Sequence, residues 1–184
     1  ARLSPEEEAA MELRQVIKCL SSATPDDFDL HSAQLELALE EKREAMGSHA
    51  ARMEWEAKDA LRQARTRLRQ EVVDTIRQSA MRLAGITDVA SFAVLREELV
   101  AKQSRMSEWL GNFADAIAEE VRRATHAAQL RVEQLAAIEV RRRIQAVSVA
   151  MPENFDTLRE EMEKAFTDFA GNLGAEGERL REEA

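Results

Sequence analysis

The sequence predicts an all-α protein: two long antiparallel helices forming a coiled-coil hairpin, with short helices forming a bundle at one end. Three observations carry this expectation. The 184 residues are 33% charged, 45% hydrophobic and only 4% aromatic, with no Tyr, the balance of long helices rather than of a deep globular core. Six Gly and three Pro are too few for a loop-rich or all-β chain. Apolar residues also recur in steps of three and four over stretches that contain no proline.

The first helix opens at Ser4-Pro5-Glu6-Glu7. Ser4 is placed to cap, Pro5 fits the first helical position, and Glu7 completes a capping box. Leu13, Val16, Ile17 and Leu20 form its apolar stripe. Thr24 precedes Pro25 and is pushed out of the helical region, which ends the helix. Thr24-Pro25-Asp26-Asp27 starts the second helix by the same logic. Its stripe runs Leu35, Leu39, Met46, Ala50, Met53, Ala57, Leu61, Ala64, Leu68, Val72, Ile76 and Leu83, so a single helix is expected to about residue 84. Gly47 is its weak point and is read as a tolerated glycine.

Gly85 is placed for a left-handed C-cap, and Thr87 or Asp88 for the next N-cap. The third helix carries Phe92, Leu95, Leu99, Met106, Trp109 and Phe113. Its seam then shifts to Ile117, Val121, Ala124 and Ala128, a stutter. From Leu130 to Val147 the apolar residues spread around more than one face, which calls for more than one neighbour. Pro152 closes this helix near Ala150. Phe155, Leu158, Met162, Phe166, Phe169 and Leu173 make an aromatic stripe expected in the core. A helix is expected to restart within 178–184.

The corners are related to one another. Ala23-Thr24-Pro25-Asp26-Asp27-Phe28-Asp29 returns as Ala150-Met151-Pro152-Glu153-Asn154-Phe155-Asp156, with Ala, Pro, Phe and Asp all at one offset. Phe92 stands almost midway along the chain between Phe28 and Phe155. The short turn at 85–88 makes the two long helices antiparallel, with facing residue numbers summing to roughly 173. The chain is expected to be a single elongated segment over 1–184, part of a larger repeat-containing protein. In style it resembles spectrin-like rods.

The net charge of -9 disfavours nucleic acid and bulk membrane binding, which want a basic face. No run of about 18 apolar residues stands in the chain. A lone Cys19 makes no internal disulfide and fits a reducing compartment. The Ala1-Arg2-Leu3 start shows neither an initiator Met nor an apolar signal core. The expected location is therefore intracellular, cytoplasmic or cytoskeletal.

No chemistry-bearing motif stands out. His31, His49 and His126 lack the Glu-x-x-His spacing of di-iron bundles, although His49 and His126 would approach each other in the hairpin. No phosphate-binding glycine loop is present, and no catalytic residue, cofactor or metal ligand is expected, nor is a small-molecule substrate. Two basic clusters occur, Arg62, Arg65, Arg67 and Arg69, and Arg141-Arg142-Arg143. Trp55 points about 200° from the main stripe, among charges, as a binding anchor would. Trp55, Arg62, Arg65 and Arg69 are the expected partner-binding residues. Trp109 is read as core.

The expected function is a structural, scaffolding rod. It would mediate protein–protein contacts or self-association in a larger intracellular assembly, such as a cytoskeletal or ciliary one. The alternatives are a membrane-shaping helical dimer, similar to BAR modules in its few long helices, and an adaptor bundle that binds a partner helix.

Overall fold

The computed structural model describes residues 2–184, which are helical with no strand among them. The order is α1 (Pro5–Cys19), α2 (Phe28–Met46), α3 (Ala50–Ala84), α4 (Ala90–Arg105), α5 (Ser107–Leu110), α6 (Ala114–Ser148), α7 (Phe155–Phe169) and α8 (Glu176–Glu183). Short 3₁₀ turns at Leu20–Ser22, Gly47–His49 and Gly111–Phe113 join some of them. The chain forms two compact units. Unit 1 runs to Asp74 and takes in Met106–Gly111; unit 2 comprises Thr75–Arg105 and Asn112–Ala184.

Neither expected long helix is continuous. Gly47 stands at φ 53°, ψ -121°, and Gly111 at φ 51°, ψ -124°. No helix passes through that region, and side chains rarely enter it. The glycine read as tolerated is therefore where α2 stops. Gly85 is not a left-handed cap, since the positive-φ glycines are Gly47, Gly111 and Gly174. Instead its N–H extends the helical pattern to the Met81 carbonyl at 3.0 Å.

In unit 1 the first helix start is met as read, whereas α2 begins only at Phe28, after a turn over 25–27 and with no side-chain cap. Ser4 Oγ accepts from the Glu7 N–H at 3.2 Å, and Glu7 Oε2 accepts from the Ser4 N–H at 2.8 Å. Glu6 lies against Gly47 and Glu12 pairs with Lys42, so numbers sum to a near-constant and α2 returns antiparallel to α1. Between α1 and α3 the difference is near-constant instead. Arg14 meets Glu56, and Arg67 meets the carbonyls of Leu20 and Ala23. These two helices are therefore parallel, and unit 1 is an up-down-up three-helix bundle. Leu13, Leu35, Met46, Met53 and Leu68 are buried at its centre, each contributing roughly 1.5–3 kcal/mol by leaving water.

Unit 2 repeats this logic. Lys102 donates to Ser79 Oγ at 2.9 Å, linking α4 to the last part of α3. Arg77 on α3 binds Glu120 on α6, and Arg131 on α6 donates to the Ile86 carbonyl, so these stretches also run parallel. Further along, α6 packs on α7 and α8 around Ala136, Ala137, Val140, Ala165, Leu173 and Leu180. Phe166 and Phe169 pack against this core. Phe155, expected inside, is 42% exposed.

Candidate functional site

The expected partner-binding residues share one stripe of α3. Trp55, Lys58, Arg62, Arg65 and Arg69 follow helical steps of three and four. Trp55 is 66% exposed. Arg62 faces solvent beside Asp59 Oδ1 at 2.5 Å. The other two arginines are exposed as well and make contacts within unit 1. The Arg65 guanidinium sits 5.6 Å above the Phe28 ring centroid, and Arg69 Nε donates to the Trp109 carbonyl at 3.2 Å. Lys58, Leu61, Arg62, Arg65, Thr66 and Arg69 line a shallow groove of about 330 Å³, and Trp55 stands outside that lining. All five are exposed; Arg65 and Arg69 differ from Trp55, Lys58 and Arg62 in also touching the corner at Phe28 and Trp109.

That corner is the best-built feature of unit 1. Phe28 is buried and meets the Trp109 ring edge-on, centroids 5.1 Å apart at 81°. Trp109, read as core, is half-buried there. Arg67 donates to the carbonyls of Leu20 at 3.1 Å and Ala23 at 3.0 Å, adding to the Ala23 N–H that Leu20 already accepts at the end of α1. Asp27 Oδ1 accepts from the Thr24 N–H at 2.6 Å, and this bond holds the Asp27 carboxyl below its ordinary value.

Sequence reasoning missed what Arg67 does. Its signal was the spacing. Arg131 donates to the Ile86 carbonyl at 2.7 Å, and this pair repeats Arg67 on the Ala23 carbonyl at nearly the same separation along the chain. Other pairs return at the same interval. Arg14–Glu56 (3.2 Å), Arg77–Glu120 (2.9 Å) and Arg141–Glu183 (3.8 Å) are successive versions of one ion pair. Leu13, Ile76 and Val140 return as fully buried residues, as do Met53, Ile117 and Leu180 to within 1% exposure. Gly47, Gly111 and Gly174 each follow their own corner phenylalanine, Phe28, Phe92 and Phe155, at one identical spacing. At the third corner Asn154 Oδ1 accepts from the Met151 N–H at 2.9 Å, as Asp27 does from Thr24 at the first.

The remaining candidates are placed plainly. Arg141 pairs with Glu176 and Glu183, Arg142 with Glu139, and Arg143 with Glu161. His31 Nε2 lies 3.5 Å from Asp27, His49 is in the Gly47 turn, and His126 is in α6. Among the described residues no three metal-ligating side chains gather. No helix there is long and apolar enough to cross a membrane.

No known protein family, curated protein or solved structure matches the chain.

Proposed function

We propose that the chain is a tandem array of three-helix units, and that its role is structural: a scaffolding segment that presents side surfaces to protein partners within a larger intracellular assembly. The observation that carries the reading is the ion pair found three times, Arg14–Glu56, Arg77–Glu120 and Arg141–Glu183. In each, an arginine grips a glutamate further along the chain, at a separation that is nearly the same all three times. In such an array α3 and α6 are each shared by two successive three-helix groups. Their length of 35 residues apiece follows from that double duty. This reading is preferred to the membrane-shaping dimer because helices of the expected length are interrupted at Gly47 and Gly111.

Protein contact is assigned to the part of the α3 stripe clear of the Phe28 corner, Trp55, Lys58 and Arg62. The positions equivalent to Trp55 are Glu119 and Glu182, so this surface is individual to the first unit. A large exposed aromatic flanked by cations fits an acidic partner with an apolar residue. The test is quantitative affinity purification of tagged wild type, Trp55→Ala and Arg62→Glu from the native host. Proteins lost from both variants while the far-ultraviolet circular dichroism is unchanged would support the reading. Identical sets from all three would remove the stripe as the contact.

A further inference from the structure

We propose that the third corner, Val147, Ala150 and Phe155, is a docking surface for an amphipathic α-helix that presents an arginine and an apolar face. The proposal rests on the tandem reading, because the first two corners display the occupant.

At the first corner Phe28 is 3% exposed. It is covered by the Trp109 ring and by the α3 segment after Glu56, through Arg65 above the phenylalanine ring and Arg67 on the carbonyls of Leu20 and Ala23. At the second, Phe92 is 5% exposed, and Arg131, on the α6 segment after Glu120, holds the Ile86 carbonyl. The third corner has the same backbone turn: the Ala150 N–H donates to the Val147 carbonyl at 3.1 Å, as Ala23 donates to Leu20 at 3.2 Å. Here Phe155 is 42% exposed, with Arg159 of its own helix 6.0 Å from the ring centroid, and Val147 and Ala150 are half-buried where Leu20 and Ala23 are buried. Among the described residues no arginine reaches the carbonyls of Val147 and Ala150. An apolar cluster beside carbonyls that lack their arginine wants an occupant with both a greasy face and a fixed donor. A lipid tail supplies no donor, and a free cation supplies no apolar face. The α3 segment supplies both: Leu61, Ala64 and Leu68 on one side, Arg65 and Arg67 beside them. Glu183 of α8 stands where Glu56 stands in α3, and Ala184 where Ala57 stands, so a helix continuing from α8 would reach the corner in register.

The test appends a second copy of Lys58–Ala84 directly after Ala184 of the full chain, a tether that raises the local concentration of the occupant. Amide hydrogen exchange is followed at Val147, Ala150 and Phe155. Slowing of about tenfold or more is expected, with at least half of it lost when the appended copy carries the Arg67→Ala change. Unchanged exchange in the extended chain would overturn the proposal. So would slowing that needs no extension and rises with protein concentration, because the occupant would then be a second copy of the chain. A separate arm isolates the tandem reading: Arg67→Ala in the native position should speed exchange at residues 20–28. If it does not, that reading fails. If it does, and the extension still leaves the third corner unprotected, only the docking proposal fails.

Discussion

Arg14 holds Glu56 by two hydrogen bonds of 3.2 Å, Nε to Oε2 and Nη2 to Oε1, joining the parallel helices α1 and α3. Arg77 holds Glu120 in the same two-pronged way at 2.9 Å. Both pairs are part-exposed, with side-chain exposures of 49% and 25% in the first and 42% and 39% in the second. Each is therefore worth at most about 1 kcal/mol. The value of the pair lies in fixing register. Arg14→Glu should lower stability by about 1 kcal/mol, since it sets two carboxylates against each other. Adding Glu56→Arg should recover most of that loss. Chemical denaturation of the two singles and the double checks it; failure of the double to recover would remove the pairing.

The same contacts set an acid response. Hydrogen bonds from Arg14 hold the Glu56 carboxyl below its ordinary value of 4.5, and Arg77 does the same for Glu120. A carboxylate whose folded value is depressed adds stability above its unfolded value, and that share is lost as pH falls through the folded value. Stability should hold at neutral pH, begin to drop near pH 4.5 and go on dropping below it. A Glu56→Gln/Glu120→Gln variant should show a shallower drop when unfolding midpoints are followed across that range.

Arg67 bridges two carbonyls at the end of α1 with a charged donor. Arg67→Ala leaves those acceptors without it and should cost about 1.5–3 kcal/mol. Arg67→Lys should recover only part, because an ammonium has no planar fork. Arg131, which makes one such bond, should cost less when truncated. Urea unfolding of the three variants measures the order.

Trp55→Ala should change stability by no more than about 0.5 kcal/mol, because the ring is 66% exposed. Thermal unfolding checks this. A loss of several kcal/mol would place Trp55 in packing contacts and end its role as a partner anchor.

Much of this was legible in the residues. The Ser4-Glu7 capping box formed, and of the stripe residues from Leu35 to Leu83 those at 35, 46, 53, 57, 64, 68, 72, 76 and 83 are buried. The corners at Phe28, Phe92 and Phe155 were found by spacing alone. What the stripe could not convey was direction. Apolar steps of three and four run across Gly47 without a fault, because the side chains on both sides of the break face the same core. The conformation of Gly47 is a backbone property with no side chain to announce it. Its signature was the return of Gly at 111 and 174, at the interval already seen for the phenylalanines. The hairpin expected the helices on either side of 85–88 to face each other with a constant sum; the pairs Arg77–Glu120 and Ile86–Arg131 instead keep a near-constant difference, which only such long-range contacts disclose. The α3 stripe shows the same limit: Arg62 and Arg65 are alike in sequence and both exposed, and only the position of Phe28 gives Arg65 a ring to lie over.

The central claim is that the chain turns at glycine in three equivalent places, and replacing those glycines tests it most directly. A methyl group at Gly47 would lie 2.6 Å from the movable Glu6 carboxylate, so the cost comes from the backbone, at φ 53° for Gly47, 51° for Gly111 and 54° for Gly174. Equilibrium unfolding of Gly47→Ala, Gly111→Ala and Gly174→Ala should show each destabilised by about 1–3 kcal/mol. A glycine inside a continuous helix would behave in the opposite way. If Gly47→Ala and Gly111→Ala instead raise stability by about 1 kcal/mol, the helices run through and the three-helix units described above do not exist.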